Sequence, residues 1–196
     1  MTQKKYELLK NNTITAPNGK TLYRIKALID FGVVVAGSLG GYIEKEDNLA
    51  HTGNAWVYGN AWVSDNAQVY GNAQVYGDAR VHGNAEVYDN AWVSDDAQVS
   101  GNARVYGNAL VSGNARVYSD KDLVWFSKVG TEQGTLTVYK SKDGSLLATR
   151  GCFSGTVDEF LAKSAEVHNE RIKREYRLLI EVAKSRLLGE SYVPTL

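Results

Sequence analysis

The sequence predicts a mainly β protein: a rod of short, stacked parallel strands with a small cap at either end. Three observations predict it. Eleven six-residue repeats run without insertion from Gly53 to Tyr118, beginning GNAWVYGNAWVSDNAQVYGNAQVYGDARVH. In every hexad the third residue is Ala (Ala55 on to Ala115) and the fifth is Val (Val57 on to Val117), two apart and therefore on one face of an extended chain. The first residue is Gly or Asp and the second Asn or Asp, types that accept left-handed backbone and turn the chain. Each hexad is thus a short strand and a corner, and such a chain can stack coil on coil about 4.8 Å apart as a parallel β-helix. Periodicity alone leaves open how many hexads close a coil and which way it winds.

The elements follow in chain order. In the N-terminal cap, residues 1–40, the strand-like runs Thr13–Thr15 and Thr21–Leu28 flank a turn at Ala16–Lys20, which predicts a hairpin. The β-helix occupies 41–118. Its first, degenerate coil is the stretch from Gly40 to His51, with Ile43 and Leu49 on the Ala position of imperfect hexads. Both segments would cover an open end that otherwise exposes unpaired strand edges. In the C-terminal strand-and-helix domain, 119–196, Leu123–Phe126, Thr135–Tyr139 and Ser145–Thr149 read as strands, with Lys142–Gly144 as a tight turn. Thr156 and Glu159 form a capping box opening one helix. Ile172, Tyr176, Leu179, Ile180, Ala183 and Leu187 form the apolar stripe of a second helix, ended by Gly189.

A chain of 196 residues can bury a core without disulfides or metal. Lys plus Arg number 22 and Asp plus Glu 22, so bulk charge gives no hold on nucleic acid or anionic lipid. Cys152 is the only cysteine, which rules out an internal disulfide and suits a reducing compartment. Met1 to Lys10 lacks the apolar core of a signal peptide, and the apolar stretch around Phe31 to Ala36 is too short to span a bilayer. The expectation is a cytoplasmic protein with no nucleic-acid partner, no membrane partner and no cofactor.

The hexads resemble those of the left-handed parallel β-helix, the hexapeptide-repeat family, in which three hexads make one triangular coil. The phrases GSLGGYIEKEDNL and GCFSGTVDEF resemble uncharacterised hexapeptide-repeat proteins of bacteriophages and prophages. The resemblance implies a left-handed winding, which is an exception to the usual crossover rule, and a homotrimer with parallel axes and three equivalent clefts between subunits. The fold class expected is therefore mainly β: a left-handed parallel β-helix with an N-terminal β-hairpin cap and a small C-terminal α+β cap.

Three hexads per coil sort the outward residues into three columns. One carries Trp56, Gln74, Trp92 and Leu110 with Tyr58, Tyr76, Ser94 and Ser112 beside them. Its apolar strip of Trp56, Tyr58, Tyr76, Trp92 and Leu110 is expected to be the subunit contact, the alternative being that aromatics merely stack along a strand face. A second column carries Trp62, Arg80, Gln98 and Arg116 with Ser64, His82, Ser100 and Tyr118. Here Arg80, His82 and Arg116, with Trp62 and Tyr118, suit a flat anionic ligand such as a nucleotide, phosphate on guanidinium and base on ring. The alternative is that these arginines solubilise the rod or pair with Glu86 or Asp78. The third column carries Gln68, Glu86 and Arg104 beside Tyr70, Tyr88 and Tyr106.

The wider family includes acyltransferases that use a histidine as general base, and in that case His82 would be the catalytic residue; no other catalytic residue is expected. His168 reads as an exposed linker residue and His51 lies in the first coil. An acceptor pocket would need a loop thrown out of a coil, and no loop interrupts these hexads. His51, His82 and His168 do not reproduce the spacing of the family's zinc enzymes. Asp78, Asp95 and Asp96 could neighbour one another at a corner as hard-cation ligands, although Asp is also an ordinary turn residue. The array contains no Thr, which excludes an ice-binding face. Glu170, Glu175 and Glu181 interleave the basic residues of the last helix, the pattern of a solvated face. Cys152 reads as a packed small residue. The function expected is a non-catalytic trimeric binder of a small anionic, nucleotide-like ligand, such as a phage sponge that sequesters a host signalling nucleotide. An acyl-coenzyme A-dependent transferase and a structural or assembly protein are the alternatives.

Overall fold

The computed structural model describes residues 3–189. Its centre is a β-solenoid of eleven two-residue strands, one per hexad, in three parallel sheets. The first face stacks β4 (Trp56–Val57), β7 (Gln74–Val75), β10 (Trp92–Val93) and β13 (Leu110–Val111). The second stacks β5 (Trp62–Val63), β8 (Arg80–Val81), β11 (Gln98–Val99) and β14 (Arg116–Val117). The third stacks β6 (Gln68–Val69), β9 (Glu86–Val87) and β12 (Arg104–Val105). Trp56 pairs with Gln74, Trp62 with Arg80 and Gln68 with Glu86, so three hexads close one coil. Every repeat Ala and Val from Ala55 to Val117 is buried in the bore.

The corners explain the alternation of Gly and Asp at the first hexad position. Asp65, Asp89 and Asp95 adopt φ of 59°, 57° and 56°, a left-handed conformation that Asp tolerates better than most residues. Each carboxylate accepts a hydrogen bond from the backbone N–H at the same corner one coil on: Gly83 at 3.0 Å, Gly107 at 3.2 Å and Gly113 at 2.9 Å. The second position builds amide ladders, in which Asn54 donates to Asn72 and Asn72 to Asn90, both at 3.1 Å.

The N-terminal hairpin pairs β1 (Tyr6–Thr15) with β2 (Thr21–Ala27), and β2 with β3 (Leu39–Ile43). β3 then runs parallel to β5, so the second face grows into a seven-stranded sheet. Close approach accounts for Gly40 and Gly41 in β3. A Cβ on Gly40 would stand 2.5 Å from Ile25 Cγ1 and 2.7 Å from the Trp56 ring; one on Gly41 would stand 2.3 Å from the Ala61 carbonyl oxygen. Tyr6, Ile25, Ile43 and Leu49 plug this end of the bore. The Tyr6 hydroxyl donates to the Leu49 carbonyl at 2.7 Å, and buried Lys5 donates through Nζ to the Ala55 carbonyl at 2.8 Å.

One register expectation is corrected. Ile43 pairs with Val63 and Leu49 bridges to Val69, so both occupy the Val position of the coil, not the Ala position. The first coil is two residues longer than the others, and the bends at 51–54 before β4 hold the excess.

The C-terminal unit is a four-stranded antiparallel sheet, β15 (Leu123–Val129), β16 (Gly134–Lys140), β17 (Leu146–Arg150) and β18 (Phe153–Thr156), followed by α1 (Val157–Val167) and α2 (Glu170–Leu188). β18 was not among the expected strands; it returns from β17 after the two-residue turn at Gly151–Cys152, which leaves Cys152 exposed and not packed. The capping box forms, with Thr156 Oγ1 accepting from Glu159 N–H at 3.2 Å and Glu159 accepting from Thr156 N–H at 2.8 Å. Ile172, Tyr176, Ile180, Ala183 and Leu187 of α2 are buried against the sheet together with Phe160 of α1. The sheet closes the solenoid by imitating a further coil. Leu123 and Tyr139 enter the bore cluster, Thr137 Oγ1 accepts from Leu110 N–H at 3.1 Å, and Thr149 Oγ1 donates to the Leu110 carbonyl at 2.6 Å. No helix among the described residues is long and apolar enough to cross a membrane.

Candidate functional site

The second face places Trp62, Arg80, Gln98 and Arg116 on successive rungs. Trp62 and Arg116 are therefore three rungs, about 14 Å, apart. The Trp62 ring is already covered by its own neighbours: the Arg80 guanidinium lies 5.9 Å from its centroid and the His82 ring stacks at 5.8 Å and 29°. Arg116 Nη1 donates to the backbone carbonyls of Ala115 at 2.8 Å and Asp96 at 3.0 Å, which makes it a clasp on the coil corner. Tyr118 is exposed beyond the last rung. The five residues share one face, and the structure does not converge them on one point.

The first face also differs from expectation. Trp56 is 1 % exposed, because the N-terminal cap folds over it: the Phe31 ring meets it edge-on at 5.2 Å and Tyr6 at 6.0 Å. It is a core residue and leaves the set offered for subunit contact. Tyr58 packs half-buried against the bore cluster, and Leu110 is half-buried where the C-terminal sheet docks. Trp92 stands out at 44 % exposure, with Tyr76 edge-on at 6.0 Å.

On the third face Tyr70, Tyr88 and Tyr106 stack at 4.9 and 5.0 Å with interplanar angles of 3°, ending against the edge of Trp125 at 4.4 Å. Tyr88 is thus covered on both faces, whereas Tyr70 ends the stack and lines a cleft with Ala50 and His51. Burial and the Glu86 carboxylate, which accepts from the Tyr70 hydroxyl at 3.1 Å, push the Tyr70 pKa up to about 12.

A broad, open concavity lies elsewhere, in the angle between the first face and the C-terminal sheet. It is a cleft of about 480 Å³ lined by Asn90, Trp92, Asn108 and Leu110 from the solenoid and by Gln133, Thr135, Thr149 and Arg150 from the sheet. Asn90 ends its amide ladder, accepting from Asn72. Arg150 packs flat over Gly134, where a Cβ would stand 2.6 Å from its Cζ. Its side chain is only 11 % exposed, yet its protein partners are few: the Val129 carbonyl at 3.1 Å and the exposed Glu132 carboxylate at 3.8 Å. Nε is buried with no partner. Trp92 was legible as an exposed ring. Arg150 and the threonines were not, because they lie outside the repeat and reach the cleft only through docking of the sheet.

The histidines stand in three separate places. Burial holds the His82 imidazole below the ordinary histidine value, against the pull of the Asp65 carboxylate. His51 stacks on Tyr6 at 4.4 Å and accepts from the Lys5 N–H through Nδ1 at 3.2 Å. His168 is not an exposed linker: it caps α1, packs edge-on to Tyr176 at 5.4 Å, and its Nδ1 is buried and unpaired. Asp78 and Asp95 adjoin through a backbone hydrogen bond at 2.9 Å, but the Asp95 carboxylate serves Gly113 and that of Asp78 serves Asn60 at 3.2 Å. Among the described residues no group of three or more His, Cys, Asp or Glu is placed to hold a metal ion.

Fold and site define a β-solenoid repeat protein with a cleft where the solenoid meets its C-terminal cap. The chain is similar to the YdcK β-solenoid repeat family over residues 67–83, 73–88 and 97–112, all within the array. No curated protein matches the chain.

Proposed function

We propose that this solenoid is a non-catalytic binding protein that holds a small anionic, nucleotide-like ligand in the cleft bounded by Trp92 and Arg150. The observation that carries this reading is the pairing, in one concavity, of the exposed Trp92 ring with an under-partnered guanidinium. A ring on a rigid strand suits a base, and a buried guanidinium suits phosphate. Amide and hydroxyl side chains around them supply the few polar groups that orient a ligand in such sites. Self-association as a homotrimer belongs to the same proposal: copies packed along the first face would bury the exposed Trp92 strip and close the open side of the cleft.

The test is mass spectrometry of small molecules released when freshly purified protein is denatured, with a solution mass for the intact oligomer. The expected result is one phosphate-bearing compound per chain, lost in Trp92→Ala with the fold preserved, and a mass three times that of the chain. Protein that carries nothing and shows no saturable binding of nucleoside phosphates would sink the ligand assignment. Turnover of acyl-coenzyme A abolished by His82→Ala would replace it with an enzyme.

A further inference from the structure

The tyrosine ladder of the third face stops one rung short of the first coil. Leu49 bridges Val69 as Val69 pairs with Val87 and Val87 with Val105, so Ala50, Tyr70, Tyr88 and Tyr106 hold the same place on successive rungs. The backbone keeps that register: Ala50 N–H donates to the Val69 carbonyl at 3.0 Å, as Tyr70 N–H does to Val87 at 3.1 Å and Tyr88 N–H to Val105 at 3.0 Å. Where the later coils carry a ring, the first coil carries a methyl group. One side of the Tyr70 ring is covered by Tyr88 at 4.9 Å, and among the described residues no ring stacks on the other. A cleft of about 350 Å³ opens there, lined by Ala50, Gln68 and Tyr70 together with Glu46, Asp47 and His51. It shares no residue with the Trp92 cleft.

The shape of this cleft selects a flat ring. Tyr70 is held in place by its hydroxyl, which donates to Glu86 at 3.1 Å, and by Tyr88 behind it at an interplanar angle of 3°. A ring laid on its open side continues the stack by the contact that Tyr70 itself makes with Tyr88. The charge of the cleft selects a cation. Lys4 pairs with Glu46 Oε1 at 2.6 Å and holds that carboxyl below the usual range, so it is ionised at neutral pH. Its other oxygen lies 3.6 Å from His51 Nε2. Asp47 is exposed and makes no ion pair among the described residues, so the charge left uncompensated in the cleft is negative. A planar cation is drawn to such a place both by the carboxylates and by the negative face of the ring. An anion of the kind proposed for the Trp92 cleft is repelled.

We infer that the first coil carries a binding site for a small, flat aromatic cation, stacked on Tyr70 in the place that Ala50 leaves open, with its charged group toward Asp47 and Glu46. The probe is benzamidinium chloride, titrated calorimetrically into the full chain. Sodium benzoate, the same ring with the opposite charge, and guanidinium chloride at equal millimolar concentration, the charge without the ring, are the controls. The expected result is saturation at one benzamidinium per chain, with half-saturation on the order of 1 mM. Asp47→Asn should weaken it at least about five-fold through loss of a charge-assisted contact. Ala50→Tyr should abolish binding, because its ring completes the ladder and fills the cleft, and it should melt no lower than the parent, because it adds a stacked pair. Asp47 is an exposed side chain, so Asp47→Asn keeps the fold and decides the matter even if Ala50→Tyr does not fold. Trp92→Ala should bind benzamidinium as the parent does, which separates this site from the Trp92 cleft. No saturation below about 10 mM, benzoate or guanidinium binding as tightly as benzamidinium, or undiminished binding by Asp47→Asn or by a folded Ala50→Tyr variant would overturn the assignment.

Discussion

Asp95 offers a direct test of how the solenoid turns its corners. Its φ is 56°, and its carboxylate accepts from Gly113 N–H at 2.9 Å. Replacement by Gly loses that exposed hydrogen bond, about 1 kcal/mol, and removes the left-handed cost borne by any residue with a Cβ, about 1 kcal/mol. The unfolded chain gains freedom, worth roughly 0.4–1 kcal/mol against the fold. Asp95→Gly should therefore cost about 0–1 kcal/mol. Asp95→Ala loses the same bond and keeps the strain without a side chain that tolerates it, for about 2 kcal/mol. Asp95→Val adds branching at a left-handed position and should be worst, at about 3 kcal/mol or more. For a chain of this size 1 kcal/mol moves the melting temperature by roughly 2–4 °C, so the Ala and Val variants should melt clearly below the Gly variant. Thermal and urea unfolding followed by circular dichroism would read the order. If Ala is tolerated as well as Gly, or Val no worse than Ala, the corner is not held by backbone conformation; if Gly is more stable than the parent Asp, the clasp to Gly113 is incidental.

Three further expectations follow from the core and the N-terminal cap. Val87 is fully buried in the bore, so Val87→Ala should destabilise by about 2–3 kcal/mol, measured by urea unfolding. Gly41→Ala should be more damaging than its exposed counterpart Gly37→Ala, because its Cβ would meet the Ala61 carbonyl oxygen at 2.3 Å, whereas a Cβ on Gly37 meets nothing within 4 Å and adds only the strain of a φ of 90°; limited proteolysis of the hairpin would report it. Burial lowers the Lys5 pKa from 10.5 to about 8. Between those values the unfolded chain binds the proton and the folded chain does not, so stability should rise with pH across that window, by at most about 1.4 kcal/mol per pH unit. Lys5→Met should flatten the rise in urea titrations at a series of pH values.

The hexads made the solenoid legible because one spacing fixes both what turns inward and what stacks. The i, i+2 pairing of Ala and Val dictates the bore, and three hexads to the coil dictate the three columns, which the structure reproduces rung by rung. Legibility ends where the repeat ends. Trp56 has the same pattern as Trp92, and its burial depends on Phe31 and Tyr6, which reach it from a hairpin that no periodicity ties to the array. The shift of Ile43 and Leu49 comes from two additional residues ahead of β4, invisible until the strands are paired. Arg150 lies one residue past the run Ser145–Thr149 that reads as a strand, and it lines the cleft only because Thr137 and Thr149 dock their sheet onto Leu110.

The same distinction bears on where such a protein can bind anything small. A solenoid with short corners and no protruding loops has nearly flat sides, and a flat side cannot withdraw a ligand from water as a pocket does. Concavity must come from breaking the repeat or from a second chain. Five clefts in the structure lie where the repeat is irregular or ends: two adjoin the 3-10 turn at Glu46–Asn48 in the first coil, and three involve the C-terminal unit. The outward residues of the middle coils, such as Gln74 and Glu86, are then free to vary. Gln74→Ala and Glu86→Ala should leave ligand release unchanged, while Trp92→Ala should abolish it. Loss of the bound ligand on changing a middle coil would mean that binding occurs along the rod between subunits, and that the C-terminal sheet does no more than close its end.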